Sequence, residues 1–138
     1  MKRVIVLLQF VSLVCSVSAG PTIHKSAKSG ELLEVKQFID SGVDVDAIDP
    51  SSGYTPMYFA ISGDLPGHRD RSSMVQLLSD EGANVNFKFS NGNSYLHEAA
   101  GWKKSTKIFE TLINNGAEIN LINNHQTTPL DMAIHFDY

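Results

Sequence analysis

Apolar residues recur along this chain in blocks spaced three and four apart, and the blocks end at glycines. From Glu31 to Ser41, Leu32, Val35, Phe38 and Ile39 share one face of a predicted helix, and Gly42 stands where a helix takes a left-handed terminal residue. Met57, Phe59, Ala60 and Ile61 predict the next helix; Val75, Leu77 and Leu78 predict its partner, closed by Gly82. Leu96, Ala99 and Ala100 are followed in the same way by Ile108, Phe109, Leu112 and Ile113, closed by Gly116. Thr22 to Ala27 predicts a degraded opening helix with a turn at Lys28-Ser29-Gly30, and the last block reaches Tyr138 after one helix. The pattern is pairs of helices joined by polar turns.

Those turns repeat as words. Gly42-Val43-Asp44-Val45-Asp46 leads to Thr55-Pro56-Met57-Tyr58-Phe59-Ala60. Gly82-Ala83-Asn84-Val85-Asn86 leads, across Ser90-Asn91-Gly92-Asn93, to Ser94-Tyr95-Leu96-His97-Glu98-Ala99-Ala100. Gly116-Ala117-Glu118-Ile119-Asn120 leads, across Asn123-Asn124, to Thr128-Pro129-Leu130-Asp131-Met132-Ala133. Gly82 to Gly116 is 34 residues, as is Ser94 to Thr128, while Gly42 to Gly82 is 40. A period near 33 residues marks a stacked helical array. The surplus in the second unit falls in two loops: one residue in Asp49-Pro50-Ser51-Ser52-Gly53, the rest in the segment from Asp64 to Arg71 between its helices.

In these words and this period the chain resembles the ankyrin repeat family. The resemblance implies an all-α solenoid of stacked helix-turn-helix units joined by short β-turn or hairpin connections. The expected units are about 21–52, 53–91, 92–125 and a truncated 126–138, within one domain over 20–138. Thr55 and Thr128 precede proline, so a hydroxyl can cap each helix start while Pro56 and Pro129 occupy the first turn, where no N–H is missed. Ser94 keeps the capping oxygen, but Tyr95 replaces proline and predicts a less rigid start. Ala60, Ala99, Ala100 and Ala133 let neighbouring helix pairs approach. Asp44, Asn84 and Glu118, each followed two residues later by Asp46, Asn86 or Asn120, suit the polar links between units. No unit buries its apolar face alone, so the stack is one cooperative object.

Residues 1–19 read as a secretory signal: Lys2 and Arg3, an apolar run from Val4 to Val14, then Val17-Ser18-Ala19 ahead of a cut. The run is shorter than the roughly 20 residues that span a bilayer. An uncleaved anchor, holding the stack at a membrane as a scaffold, is the competing reading. Cys15 lacks the small residue that bacterial lipoprotein signals place just ahead of the cysteine. Cleavage removes this single cysteine, leaving no disulfide, and takes the net charge from −4 to −6 by loss of Lys2 and Arg3. That acidic balance argues against nucleic acid, which needs clustered cations. No Asn-X-Ser/Thr sequon occurs, which fits a periplasm better than a eukaryotic secretory route.

Little catalytic chemistry is written here. His24 and His97 take the position at which the resemblance implies a ring bonded between adjacent turns. His68, His125 and His135 have no histidine three or four residues away, and Asp131 with His135 is an ordinary helical pair. The loop serines, Ser51, Ser52, Ser72 and Ser73, have no base near them in sequence. The expectation is no catalysis, no metal and no cofactor.

The resemblance implies a protein partner met by the turn tips and the exposed ends of the first helices. Position by position this selects Ser51, Ser52 and Tyr54; Lys88, Ser90, Asn91 and Asn93, with Trp102 and Lys103; then Asn124, His125 and Thr127, with His135 and Phe136. Arg69 and Arg71 in the insertion are candidates toward an acidic partner. Trp102 is the single tryptophan, and interface energy concentrates in Trp, Tyr and Arg. Phe87 is expected to pack in the core and Phe89 to touch the partner. The expected function is an exported, periplasmic or secreted, non-catalytic module that neutralises a partner such as a toxin, as immunity proteins do. The alternative partner is a periplasmic enzyme that the module assists. Met132, Ile134 and Phe136 are expected as apolar surface on the last unit, open to a partner or a second copy.

Overall fold

A computed structural model describes residues 22–63, 71–102 and 106–135 of the chain. The proposed signal segment, His68, Arg69, Lys103 and Phe136 lie outside them. Among the described residues there are seven helices and no strand: α1 Ile23–Ser29, α2 Leu32–Asp40, α3 Pro56–Ser62, α4 Ser72–Asp80, α5 Tyr95–Gly101, α6 Thr106–Asn114 and α7 Pro129–His135.

Hydroxyl caps fix the helix starts in register. Thr22, Thr55 and Ser94 are extended residues preceding α1, α3 and α5, and the Thr22 and Thr55 hydroxyls accept from the backbone N–H three residues on. Ser94 and His97 satisfy each other in a capping box. Thr128 does the same for α7: its N–H and hydroxyl donate to Asp131 Oδ2 (2.8 and 2.7 Å), and its Oγ1 accepts from Asp131 N–H (3.2 Å). Counted from each cap, the fifth residue is always alanine: Ala27, Ala60, Ala99 and Ala133.

The helices form two layers. Short α1, α3, α5 and α7 lie side by side; α2, α4 and α6 lie behind them, each packed on the helix it follows. Met57, Ala60 and Ile61 of α3, Leu78 of α4, Tyr95 and Ala99 of α5 and Leu112 of α6 are fully buried between the layers. The back helices touch the front layer along a narrow stripe, so Leu32 and Ile113, predicted on their apolar faces, remain 41% and 45% exposed. Met74, which the spacing did not single out, is buried instead.

The second unit's surplus sits in the two loops the spacing indicated. Hairpins close by Asp49 N–H to Tyr54 O, Phe89 N–H to Asn93 O and Asn123 N–H to Thr127 O, so the first contains one extra residue. The remainder separates Ser62 from Ser72, where the third unit needs only the gap from Gly101 to Thr106.

A ladder of side chains stitches the hairpin feet. Asp44 Oδ1 accepts from Asp46 N–H and Asn84 Oδ1 from Asn86 N–H, both at 3.0 Å, which shapes each turn. Asp46 Oδ2 then accepts from Asn84 N–H (2.9 Å) and Asn86 Oδ1 from Glu118 N–H (2.8 Å), one unit to the next. Asn86 also donates Nδ2 to Gly116 O (3.0 Å), whereas Asp46 Oδ1 is buried with no donor among the described residues. Asp46→Asn supplies a donor where its sister residue uses one. The expected gain is about 1 kcal/mol, read as a higher urea midpoint at unchanged slope; a lower midpoint counts against the ladder.

Candidate functional site

The hairpin tips and the front helices carry the candidate residues, but many tip groups are already bonded to each other. Asn124 N–H donates to Asn91 O (3.1 Å) and Asn124 Nδ2 to Ser90 O (3.0 Å). Lys88 Nζ donates to Ile122 O (3.3 Å), and Asn123 Nδ2 to Asn93 Oδ1 (2.9 Å). Buried Asn123 also accepts at Oδ1 from His125 N–H, Thr127 N–H and Thr127 Oγ1–H. Lys88, Asn91, Asn93 and Asn124 therefore bind the second hairpin to the third before any partner arrives, and Thr127 is held within the third by Asn123. The His125 side chain remains exposed at the third tip. Ser51 and Ser52 turn back onto Asp49 Oδ2, each at 2.6 Å, and their hydroxyls hold that carboxyl below the usual carboxylate range.

The two histidines expected to bridge adjacent turns separate. His97, three residues after its cap, accepts at Nδ1 from Ser94 N–H, so its Nε2–H donates to Thr127 O (2.9 Å) across the unit boundary. His24 is only two residues after its cap and reaches Ala47 O (2.7 Å), a different rung; Lys25 holds the position equivalent to His97. Both rings bridge turns, from different helix positions.

Arg71 points inward. Its Nη1 donates to Ala60 O (2.9 Å) and Phe59 O (3.3 Å), and its Nη2 to Lys28 O (3.4 Å), tying the ends of α1 and α3. A Cβ on Gly63 would stand 2.3 Å from Nη1, so the glycine makes room for the guanidinium. Reading Arg71 as a charge toward an acidic partner missed this, because the carbonyls of a helix end are invisible in composition.

Between the second and third units lies an aromatic cluster. Tyr54 and Tyr58 stack at 3.7 Å with a 6° interplanar angle, and Phe89 meets both edge-on at 5.5 and 5.3 Å. Phe87 and Tyr95 close the far side of Phe89 (5.2 and 5.5 Å). Phe89, expected at the partner surface, is thus buried, because a ring at that hairpin position fills the space between units; Phe87 is the less buried of the two. Tyr54 and Tyr58 stay half-buried, and burial, then the Tyr54 hydroxyl, then the Glu98 charge raise the Tyr58 phenol well above its usual range.

Glu98 completes this face. Its Oε1 accepts from Asn93 Nδ2 (2.8 Å), and its backbone carbonyl accepts from Trp102 N–H (3.0 Å), so both side chains leave α5 on one side, a turn apart. Trp102 is 49% exposed at the end of α5, whereas the tips lie at its start, about 10 Å away along the axis. Tips and tryptophan are two ends of one helix, joined by Tyr58 and Glu98. Sequence reasoning selected Tyr54 and Trp102 and passed over the two between them.

The far end of the stack is apolar. Met57 and Leu96 are 0% and 3% exposed beneath the following unit; Leu130, their equivalent on α7, is 66% exposed, and Ile134 is 64%.

Asp131, which closes the capping box of α7, has its carboxyl held below the normal range by the Thr128 N–H and hydroxyl. A depressed carboxyl stabilises the fold above its unfolded pKa, near 3.9, and the contribution disappears as pH falls through the folded value. Amide protection in α7 is therefore expected to fall first as a sample is taken below pH 4. Uniform loss across all seven helices would contradict that order.

Comparison with known proteins supports the architecture. Residues 67–138 match a family model described as "Ankyrin repeats (3 copies)". The chain is 35% identical over 111 residues to the B-cell lymphoma 3 protein homolog of Mus musculus, and 38% identical over 99 residues to the B-cell lymphoma 3 protein of Homo sapiens. These alignments cover 80% and 72% of this chain but 23% and 20% of those proteins. Among solved structures, the ankyrin repeat domain of Bcl-3, described as a unique member of the IkappaB protein family, superposes with a TM-score of 0.69 at 35% identity. The match takes in 80% of this chain and 46% of that one.

Proposed function

Since this chain belongs to the ankyrin repeat family, whose stacks bind other proteins and are typically non-catalytic, we propose that it holds a protein partner on the face carrying Tyr54, Tyr58, Glu98 and Trp102. One observation carries the choice of face. The tip amides are spent on one another, whereas the stacked tyrosines and Trp102 stay partly open beside a carboxylate. Half-buried aromatic side chains supply contact area with little entropy left to lose, which is why they dominate interface energies.

The partner is blocked rather than chemically changed, in a compartment reached by export. Support for export is the Lys2-Arg3 start, the apolar run to Val14 and the small residues at Val17-Ser18-Ala19. Support for blocking is a rigid two-layer stack whose polar groups are consumed in its own ladder, a shape suited to one-to-one occlusion of a toxin. An accessory role toward an envelope enzyme would use the same face.

Two measurements test this. Intact mass of the exported chain should begin at Gly20; a mass that includes Met1 removes the cleaved, free module and leaves the uncleaved anchor. Envelope proteins retained on the immobilised chain should be lost on Trp102→Ala and Tyr58→Ala, with circular dichroism unchanged. Retention by both variants removes the face.

A further inference from the structure

We propose that the partner offers an arginine side chain to this face, and that Glu98, Tyr58 and Trp102 receive its guanidinium. The inference rests on the face proposed above and adds the chemistry of what it grips. Glu98 stands between two aromatic groups. One turn along α5 is Trp102; toward the neighbouring unit is the Tyr54–Tyr58 stack, near enough for the Glu98 charge to act on the Tyr58 phenol. The stack is braced by Phe89 and Phe59 edge-on, so its orientation is set before binding. Asn93 Nδ2 fixes one carboxylate oxygen at 2.8 Å. The second, Oε2, has no donor among the described residues, and neither described ion pair uses Glu98.

A carboxylate with an open oxygen, beside aromatic side chains on a chain of net charge −4, selects a cation. Guanidinium suits it better than ammonium. It is planar, so it can lie against a ring while its fork donates to the carboxylate, and it is weakly hydrated, so it leaves water at lower cost. The tip amides are spent on one another, so on this face it is the Glu98 carboxylate that answers a charge.

The single tryptophan makes the test direct. The full chain is titrated with N-acetyl-arginine methylamide, followed by Trp102 emission and by the tyrosine ring resonances. The expected result is a saturable change that weakens with added salt, at least tenfold weaker for the isosteric neutral citrulline compound. Glu98→Gln should reduce the arginine affinity at least fivefold while leaving thermal unfolding unchanged. Equal binding of the citrulline compound, or full affinity in Glu98→Gln, overturns the proposal. So does equal or tighter binding of the lysine compound, since that assigns the site to a general cation. A captured partner that is lost on Tyr58→Ala and Trp102→Ala but kept by Glu98→Gln removes the arginine and leaves the face standing. A partner indifferent to all three variants removes both.

Discussion

Replacing Gly92 by alanine is expected to lower the stability of the stack by about 2–4 kcal/mol, whereas the same change at Gly53 should cost about 1 kcal/mol. The two glycines hold the same turn position in successive hairpins, with φ of +79° and +77°, so both substitutions force an L-residue into the left-handed region. Their surroundings differ. A Cβ at Gly53 meets nothing within 4 Å, but at Gly92 it would stand 2.6 Å from the Asn124 backbone nitrogen and 2.5 Å from its Oδ1. Backbone cannot swing aside as a side-chain end can. The third hairpin must move away, breaking Asn124 N–H to Asn91 O and Asn124 Nδ2 to Ser90 O. Urea titrations of both variants measure the difference directly. Equal midpoints would mean that the hairpins approach less closely than the geometry states.

The third hairpin replaces this glycine by Gln126, at φ +59°. No following hairpin is described against it, so nothing in the described residues demands a bare Cα there. The stack therefore tells two uses of glycine apart: conformational freedom at Gly53, and both freedom and space at Gly92.

That distinction bears on what the sequence can disclose. Spacing located the helix pairs and the hairpin insertion at Asp49–Gly53, and the family resemblance gave the bridging role of His97, because each is a relation within a unit or between identical words. Contacts between unlike residues of neighbouring units leave no such trace. Phe89 reads as a partner-facing tip until Tyr54 and Tyr58 are laid against it; Arg71 reads as a charge toward an acidic partner until α1 and α3 present their carbonyls. For the candidate face, Tyr54 and Trp102 were legible as aromatic residues at turn ends. Tyr58 was not, although it holds the third position after the cap, where its equivalents His97 and Asp131 are polar. Glu98 was hidden among the regular helical positions of α5.

Tyr95 gives the sharpest case. The repeat word suggests proline at this place, as at Pro56 and Pro129, and Tyr95→Pro looks like a repair: proline is well suited to a first helical position. The expected outcome is the reverse, a loss of about 3–5 kcal/mol. Tyr95 is fully buried, the largest side chain that is among the described residues, and it packs against Phe87 and Phe89 across the hairpin. Its hydroxyl shares a hydrogen bond of 2.5 Å with Thr55 Oγ1, the cap of the preceding unit. Burial pushes the phenol up and keeps it neutral, so the hydroxyl is always available to that pair. Proline would leave a cavity where two units meet and remove a partner from a buried threonine. Tyr95→Phe separates the two losses: it keeps the ring and is expected to cost about 1 kcal/mol, the worth of the hydroxyl alone. If Tyr95→Pro matched or exceeded the parent in thermal unfolding, the departure from the repeat word would be drift, and the aromatic cluster would not be what joins the second unit to the third. With the tyrosine in place, the first residue of helix α5 is anchored to the neighbouring unit rather than by a proline ring of its own.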